Sequence, residues 1–484
     1  MASLRAKIAL QFVVNNLTIV SNFALAVLLA RLLTPTDIGI FSMSAVLIAI
    51  AHVFRDFGVA AYIKREKELT EQTLRSAMGL LVTTSWTASA ILFVSASYWA
   101  DFLHEPRIAD VVRVLALGFI FIPFGAIPSA ILTRRMEVRK TSKVAIVSNL
   151  SHFAVCLGLA QAGLGHMTMA WANLVDILIC GIGYRWVLGE RLPVWPSVIG
   201  WKRIAHFGLG NILPSLLQKI DAAIPDLVLG RLSTPAAVGL FSRANSTVNM
   251  LGEAINPTIN YFALPYLAQV HHKNGRIDQE YLKASSLVNS IVFPALVTVA
   301  ILSPELVGFL FGQQWLPSAH AIPWLCVAYG VSSLFTFTTS AMNSIGKPYG
   351  AIWPLMALVT LKVGLAFTLF DGTLQNFAFC VALAQLSSVP LYLFINKLFL
   401  KVSLLDWLGD TWRLLILAVI TGVACYGAKQ AIPTGTSIIL VLLTGGCVTV
   451  TVSFFSYWLI GLPIIHELAG VPVFRRLLSG LSRK

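Results

Sequence analysis

Long apolar runs, each the length of a membrane span, follow one another through the whole sequence. A helix that crosses the hydrocarbon core of a bilayer needs about 20 mostly apolar residues. The runs predict about 14 transmembrane helices and an all-α integral membrane protein. The predicted spans are 8–33, 38–63, 74–100, 108–133, 144–163, 165–188, 207–232, 236–262, 284–310, 318–345, 351–370, 374–399, 412–430 and 436–460.

The composition excludes a soluble protein. Only 12% of the residues are charged, whereas soluble domains carry roughly 25%. The mean hydropathy is +0.79, which leaves more apolar surface than a soluble fold could bury. All six cysteines lie inside apolar runs without a CxxC pair, so we interpret them as small buried side chains rather than disulfides or metal ligands.

The net charge of +14 is an orientation signal rather than a sign of nucleic-acid binding. Cytoplasmic loops of membrane proteins are enriched in Lys and Arg. With the N-terminus inside, 26 of the 35 basic residues fall on inward segments, and the outward loops are short. This bias predicts that both termini are cytoplasmic, and it favours an even number of spans.

The order of spans predicts four segments. They are an N-lobe of spans 1–6 (residues 1–188), a cytoplasmic interfacial linker (189–206), a C-lobe of spans 7–12 (207–400), and spans 13 and 14 with a cytoplasmic tail (401–484). The tail ends in VFRRLLSGLSRK, a pattern typical of an amphipathic interfacial segment.

An internal repeat supports two related lobes. Residues 30–42 (ARLLTPTDIGIFS) and 230–242 (GRLSTPAAVGLFS) are identical at seven of thirteen positions without a gap. Each copy reads as a helix end, a short outer turn and the start of the next helix. Six spans separate the copies, so both have the same orientation. This arrangement predicts two pseudo-symmetric six-helix lobes about an axis along the membrane normal, as in many transporters.

Several charged residues lie inside predicted spans, where they are costly and usually functional. Four basic residues are our candidates for binding the substrate's anionic or sugar groups: Arg55, Lys219, Arg243 and Lys362. Five acids are candidates for charge balance or ion coupling: Asp56, Asp176, Asp221, Asp226 and Glu253. Plainer interpretations stay open, since Arg55 and Asp56 could form a local pair, and Arg31 and Arg231 could brace the outer turns.

A cavity lined by these basic residues would be cationic. It would suit a phosphate or pyrophosphate, which arginine can bind through two hydrogen bonds. No nucleotide-binding loop or HExxH motif occurs. We therefore predict no catalytic residue, no bound metal and no cofactor, so the protein is not an enzyme. Transport coupled to H⁺ or to Na⁺ is compatible with the sequence, which does not choose between the two ions.

Three stretches resemble a known family. Residues 28–66 read LLARLLTPTDIGIFSMSAVLIAIAHVFRDFGVAAYIKRE, which is similar to the first helix pair of Wzx-like bacterial polysaccharide flippases. The second-half copy at 227–242 and the stretch SAMNSIGKPYG at 340–350 are also similar to that family. The polysaccharide transporter family belongs to the superfamily of MATE multidrug exporters and lipid II flippases. Its six, six and two arrangement of spans matches the whole chain.

The resemblance implies a flippase for undecaprenyl-pyrophosphate-linked oligosaccharide repeat units in the bacterial inner membrane. Such an activity serves O-antigen (lipopolysaccharide), capsule or exopolysaccharide synthesis by alternating access. It implies that cationic residues of both lobes hold the pyrophosphate, with Arg55 and Arg243 the nearest matches by helix. The implied partners are the lipid-linked oligosaccharide, membrane lipids, and a polysaccharide polymerase or export machinery.

Two alternatives remain at this stage. A cation-coupled multidrug or metabolite exporter would have the same fold, although an acidic cavity would suit it better. A membrane enzyme of glycan assembly would usually need a sizeable outer loop, and every predicted outer loop is short.

Overall fold

A computed structural model describes residues 4–56, 58–66, 68–190, 196–273, 275–433 and 435–460. These residues form seventeen α-helices and three short 3₁₀ helices, with no strand among them. The chain divides into two compact units, residues 1–242 (unit 1) and 243–484 (unit 2).

Unit 1 contains eight helices and the start of a ninth. They are α1 (Leu4–Leu32), α2 (Pro35–Asp56), α3 (Val59–Arg65), α4 (Glu71–Phe102), α5 (Arg107–Arg134), α6 (Val138–Gln161), α7 (Thr168–Leu188), α8 (Trp201–Leu232) and the first turns of α9 (Pro235–His272). The core of the unit forms where α5 packs on α4 and α7.

Unit 2 contains the rest of α9 and eight further helices. They are α10 (Ile277–Ile301), α11 (Ser303–Leu310), α12 (Ile322–Leu334), α13 (Thr338–Ser344), α14 (Ile352–Leu369), α15 (Leu374–Leu400), α16 (Leu404–Ala431) and α17 (Ile438–Ile460). Helix α10 packs on both α12 and α16 at the centre of the unit.

The helices confirm an all-α, multi-pass membrane protein. Within the described residues, twelve helices are long and apolar enough to cross a membrane. The two other predicted spans, 207–232 and 236–262, lie within α8 and α9. The structure is therefore compatible with fourteen spans.

Three predicted spans contain a break, although α12 and α13 together (Ile322–Ser344) form one stretch that is long and apolar enough to cross a membrane. Span 38–63 divides into α2 and α3, span 284–310 into α10 and α11, and span 318–345 into α12 and α13. At the first break, Gly58 has a φ of 70°, a left-handed conformation that glycine adopts without steric cost. Polar residues mark the first two breaks, at Arg55–Asp56 and at Ser303–Glu305, whereas the apolar pattern continues through residues 335–337.

Side chains of α10 stabilise the break between α12 and α13. An interrupted helix leaves backbone carbonyls without partners, which lipid cannot supply. Ser285 Oγ donates a hydrogen bond to the Leu334 carbonyl at 3.0 Å, and Asn289 Nδ2 donates to the Ser333 carbonyl at 3.3 Å. Ser333 Oγ donates in turn to Asn289 Oδ1 at 2.6 Å. The freed carbonyls are thus satisfied inside the protein.

The segment before α8 packs against the start of α4. The Ser197 amide donates to the Arg75 carbonyl at 3.0 Å, and Gln72 Nε2 donates to Ser197 Oγ at 3.0 Å. Helix α8 begins at Trp201, inside the predicted linker 189–206. Residues 191–195 of that linker and the tail 461–484 lie outside the described residues. The division into N-lobe, linker and C-lobe stays a prediction.

We expect Asn289→Ala to destabilise unit 2. The substitution removes the hydrogen bonds of Asn289 to Ser333 Oγ and to the Ser333 carbonyl, although that carbonyl keeps the Thr336 amide at 3.3 Å. Each lost hydrogen bond costs about 1 kcal/mol. Thermal unfolding of the detergent-purified protein checks this. The control is Thr360→Ala, whose exposed hydroxyl bonds only to its own helix at Met356. Equal unfolding temperatures for both variants would contradict the assigned role of Asn289.

Candidate substrate-binding site

Both copies of the repeat form a helix, a two-residue turn and a second helix. In the first copy, Thr34 and Asp37 cap α2 reciprocally: the Asp37 amide donates to Thr34 Oγ1 at 3.2 Å, and the Thr34 amide donates to Asp37 Oδ2 at 3.1 Å. This is a capping-box arrangement. In the second copy, the Ala237 amide donates to Thr234 Oγ1 at 3.3 Å. The Ala237 side chain has no oxygen to accept a hydrogen bond from the Thr234 amide, so the second cap has one of the two hydrogen bonds of the first.

The two copies meet each other within unit 1. A Cβ on Gly39 would overlap the Pro235 carbonyl, and a Cβ on Gly239 would overlap the Pro35 carbonyl. Beside this contact, Ser42 Oγ donates to Ser242 Oγ at 3.1 Å. The repeat therefore places matching residues against one another, and the glycines permit the close approach.

Charged side chains surround this contact at the same end of unit 1, which we call the turn end. His166 Nδ1 lies 3.9 Å from Asp37 Oδ1. Glu105 accepts two hydrogen bonds from Arg107, at 2.8 and 3.0 Å. This bidentate pair lowers the pKa of Glu105 below its usual range. Arg231 bonds to His104 at 2.6 Å, so it braces the neighbouring loop.

Two predicted basic site residues come together in unit 1. Arg55 is half-buried at the end of α2, and its carbonyl accepts a hydrogen bond from Thr84 Oγ1 at 2.9 Å. Lys219 is exposed on α8. Both lie within electrostatic range of His52, whose ring stacks on Phe119 at 4.6 Å between centroids. Helices α2 and α8 thus bring basic groups from the two repeats into one region.

Arg243 lies in unit 2 and is almost fully buried, with 8% of its surface exposed. Its guanidinium carbon is 5.6 Å from the Phe311 ring and 5.7 Å from the Trp315 ring, distances at which cation–π attraction acts. Nε has no hydrogen-bond partner, and no ion pair joins Arg243 to a carboxylate among the described residues. Among the residues that the structure describes, the buried guanidinium contacts these two aromatic rings.

The other candidates lie on several helices of the two units. Lys362 is half-buried on α14, and Glu253 is exposed on α9. Asp176 accepts a hydrogen bond from Ser148 between α6 and α7. Asp221 and Asp226 are half-buried on α8, and the side chain of Asp56 lies outside the described residues. Whether these residues bind substrate or ions stays a prediction.

The aromatic partners of Arg243 could not be predicted from the sequence. Phe311 and Trp315 were not candidates, because nothing in the sequence places them against Arg243. The repeat offset of 200 does carry one signal: it pairs Arg243 with Met43, a fully buried core residue. A charge at a position that is apolar in the other copy marks a departure from symmetry.

Comparison with known proteins gives a family match. The family model described as "Polysaccharide biosynthesis protein" matches residues 28–320. The lipopolysaccharide biosynthesis protein WzxC of Escherichia coli K12 is 23% identical over 353 residues, covering 71% of this chain and 67% of WzxC. The teichuronic acid biosynthesis protein TuaB of Bacillus subtilis 168 is 22% identical over 410 residues, covering 83% and 84% respectively.

Two solved structures show the same fold. The lipid II flippase MurJ in an inward closed conformation matches with a TM-score of 0.71 and 12% identity, covering 93% of this chain and 98% of MurJ. An inward-facing MATE multidrug resistance transporter matches with a TM-score of 0.58 and 14% identity, covering 79% and 95%. The predicted fold class is therefore confirmed.

Arg243→Met tests whether the buried charge is structural. Desolvation of a buried ion costs several kcal/mol, whereas two cation–π contacts return about 1–4 kcal/mol. We therefore expect the variant, which copies Met43, to unfold at the same or a higher temperature than the parent.

Trp315→Leu serves as the comparison for that measurement. It removes a fully buried ring and should lower the unfolding temperature through loss of packing. A loss of stability in Arg243→Met as large as that in Trp315→Leu would mean that the guanidinium is a structural group.

Proposed function

This chain belongs to the polysaccharide biosynthesis protein family, and on that premise we propose that it is a flippase for lipid-linked oligosaccharides. The substrate is an undecaprenyl-pyrophosphate-linked repeat unit for O-antigen, capsule or exopolysaccharide. The family match over residues 28–320 carries this proposal. The MurJ-like fold over 93% of the chain supports it, because MurJ is a lipid II flippase.

The proposed substrate contacts are the basic residues of the two units. Arg55 and Lys219 would attract the pyrophosphate in unit 1, and Arg243 and Lys362 in unit 2. A dianionic headgroup offers Arg243 the charged partner that it lacks among the described residues. The polyprenyl tail stays in lipid while the headgroup crosses.

The orientation and energy source belong to the same proposal. The basic loops face the cytoplasm of a bacterial inner membrane, so both termini are cytoplasmic and the repeat turns lie outside. Transport proceeds by alternating access without an enzymatic step. Asp56, Asp176, Asp221, Asp226 and Glu253 are candidates for H⁺ or Na⁺ coupling or charge balance. A polymerase or export complex would receive the product.

A cation-coupled multidrug or metabolite exporter is the second candidate, since a MATE transporter has a similar fold. The two candidates differ in the charge that they need. A pyrophosphate requires cationic groups, whereas an exported cation is repelled by them.

Charge reversal separates these candidates. In a strain that lacks the gene, we expect lipid-linked repeat units to accumulate on the cytoplasmic side, and the wild-type gene to restore export. Lys219→Glu and Arg243→Glu should fail to restore it at normal protein levels, because a carboxylate repels the pyrophosphate. The control is Lys273→Glu, at an exposed position near the end of α9. Normal export in the deletion strain together with altered drug sensitivity would favour the exporter.

The reciprocal glycine contact provides a test of alternating access. We expect Gly39→Val to hold the turn end of unit 1 open, because its side chain overlaps the Pro235 carbonyl. A Ser242→Cys reporter, in a background without the six native cysteines, should then react with an impermeant thiol reagent added outside. The control is Gly158→Val, where no atom lies within 4 Å of the added Cβ. Equal labelling in both variants would contradict closure by this contact.

A further inference from the structure

A cavity of about 290 Å³ opens in unit 2 at the turn between α15 and α16. Pro390, Leu393 and Phe394 of α15 line one side, and Leu404 and Trp407 of α16 line the other. Phe394 and Leu404 are 60% and 48% exposed. The cavity is therefore an apolar recess whose mouth is also apolar.

Polar groups lie at one edge of this recess. Lys397, in the last turn of α15, lines the cavity and is exposed. Lys401 follows at the start of the turn, exposed and with a φ of 59°. Ser403 lines the cavity and precedes α16 without a side-chain cap. The first amides of that helix can therefore donate hydrogen bonds to an anion.

Asn396 adds a second, independent observation. It lines the cavity and is 1% exposed. Its Nδ2 donates to Tyr281 Oη at 3.0 Å, but no described group donates to its Oδ1. A buried acceptor without a donor costs about 1–3 kcal/mol. An occupant of the cavity that carries a hydroxyl would satisfy it.

We propose that this recess binds an anionic phospholipid with a hydroxyl-bearing headgroup, such as phosphatidylglycerol. An acyl chain fills the apolar recess, the phosphate lies near Lys397 and the start of α16, and a headgroup hydroxyl can donate to Asn396. The local charge is complementary to a phosphate, because Lys397 and Lys401 outnumber Asp406, the acid in the first turn of α16. Basic recesses between transmembrane helices are known to select anionic lipids.

Lipid binding to the purified full-length protein tests the proposal without any transport assay. The probes are phosphatidylglycerol and phosphatidylcholine with the same acyl chains, added to the protein in an uncharged detergent and measured by native mass spectrometry. We expect phosphatidylglycerol to bind more tightly. Lys397→Ala should weaken its binding about five-fold, and Leu393→Trp should abolish it by filling the recess. Lys273→Ala removes the same charge elsewhere on unit 2 and should leave binding unchanged.

Several results would overturn the proposal. Equal binding of the two lipids would mean that charge is not recognised, and normal binding by both cavity variants would place the lipid elsewhere. Competition by inorganic phosphate alone would assign a simple anion site. Tighter binding of a polyprenyl phosphate than of phosphatidylglycerol would assign the recess to the substrate. Because glycan export is measured separately, the failure of this proposal and the failure of the proposed function are distinguishable.

Discussion

The hydrocarbon layer supplies no hydrogen bonds, and every polar group placed inside it must find a partner in the protein. Long uninterrupted helices meet this demand by themselves. The break between α12 and α13 is tolerated because Ser285 and Asn289 of α10 donate to the carbonyls that it frees. Arg243 differs, since the contacts that the described residues make with its guanidinium are two aromatic rings, which attract the charge without neutralising it. The contrast separates polar groups that form hydrogen bonds within the fold from a buried charge with aromatic neighbours.

The internal repeat shows which differences between its copies matter. Gly39 and Gly239, like Ser42 and Ser242, are identical and meet each other. Asp37 completes the cap of α2, whereas Ala237 leaves the cap of α9 incomplete. Met43 fills a buried apolar position whose counterpart is Arg243. The residues that contact each other are identical in the two copies, whereas Met43 and Arg243 differ in charge.

Sequence alone was sufficient for the membrane class and the repeat, because long apolar runs and a gap-free match need no tertiary information. It was insufficient for the break between α12 and α13, since the apolar pattern continues through residues 335–337. It also could not place Phe311 and Trp315 around Arg243, because contacts between distant segments leave no local pattern. Of the four basic candidates, the structure groups Arg55 with Lys219 around His52 and puts Arg243 and Lys362 in unit 2.

The reciprocal contact at Gly39 and Gly239 has a consequence for the history of the fold. Residue i of one copy meets residue j of the other, and j meets i, which is the contact that an isologous two-fold dimer makes. A six-helix ancestor could have formed this contact between two identical chains, with one glycine serving both sides. In the single chain each glycine is a separate residue, yet neither can acquire a side chain without displacing the other copy. Both positions are therefore restricted to glycine by the same contact, although they are separate residues of one chain.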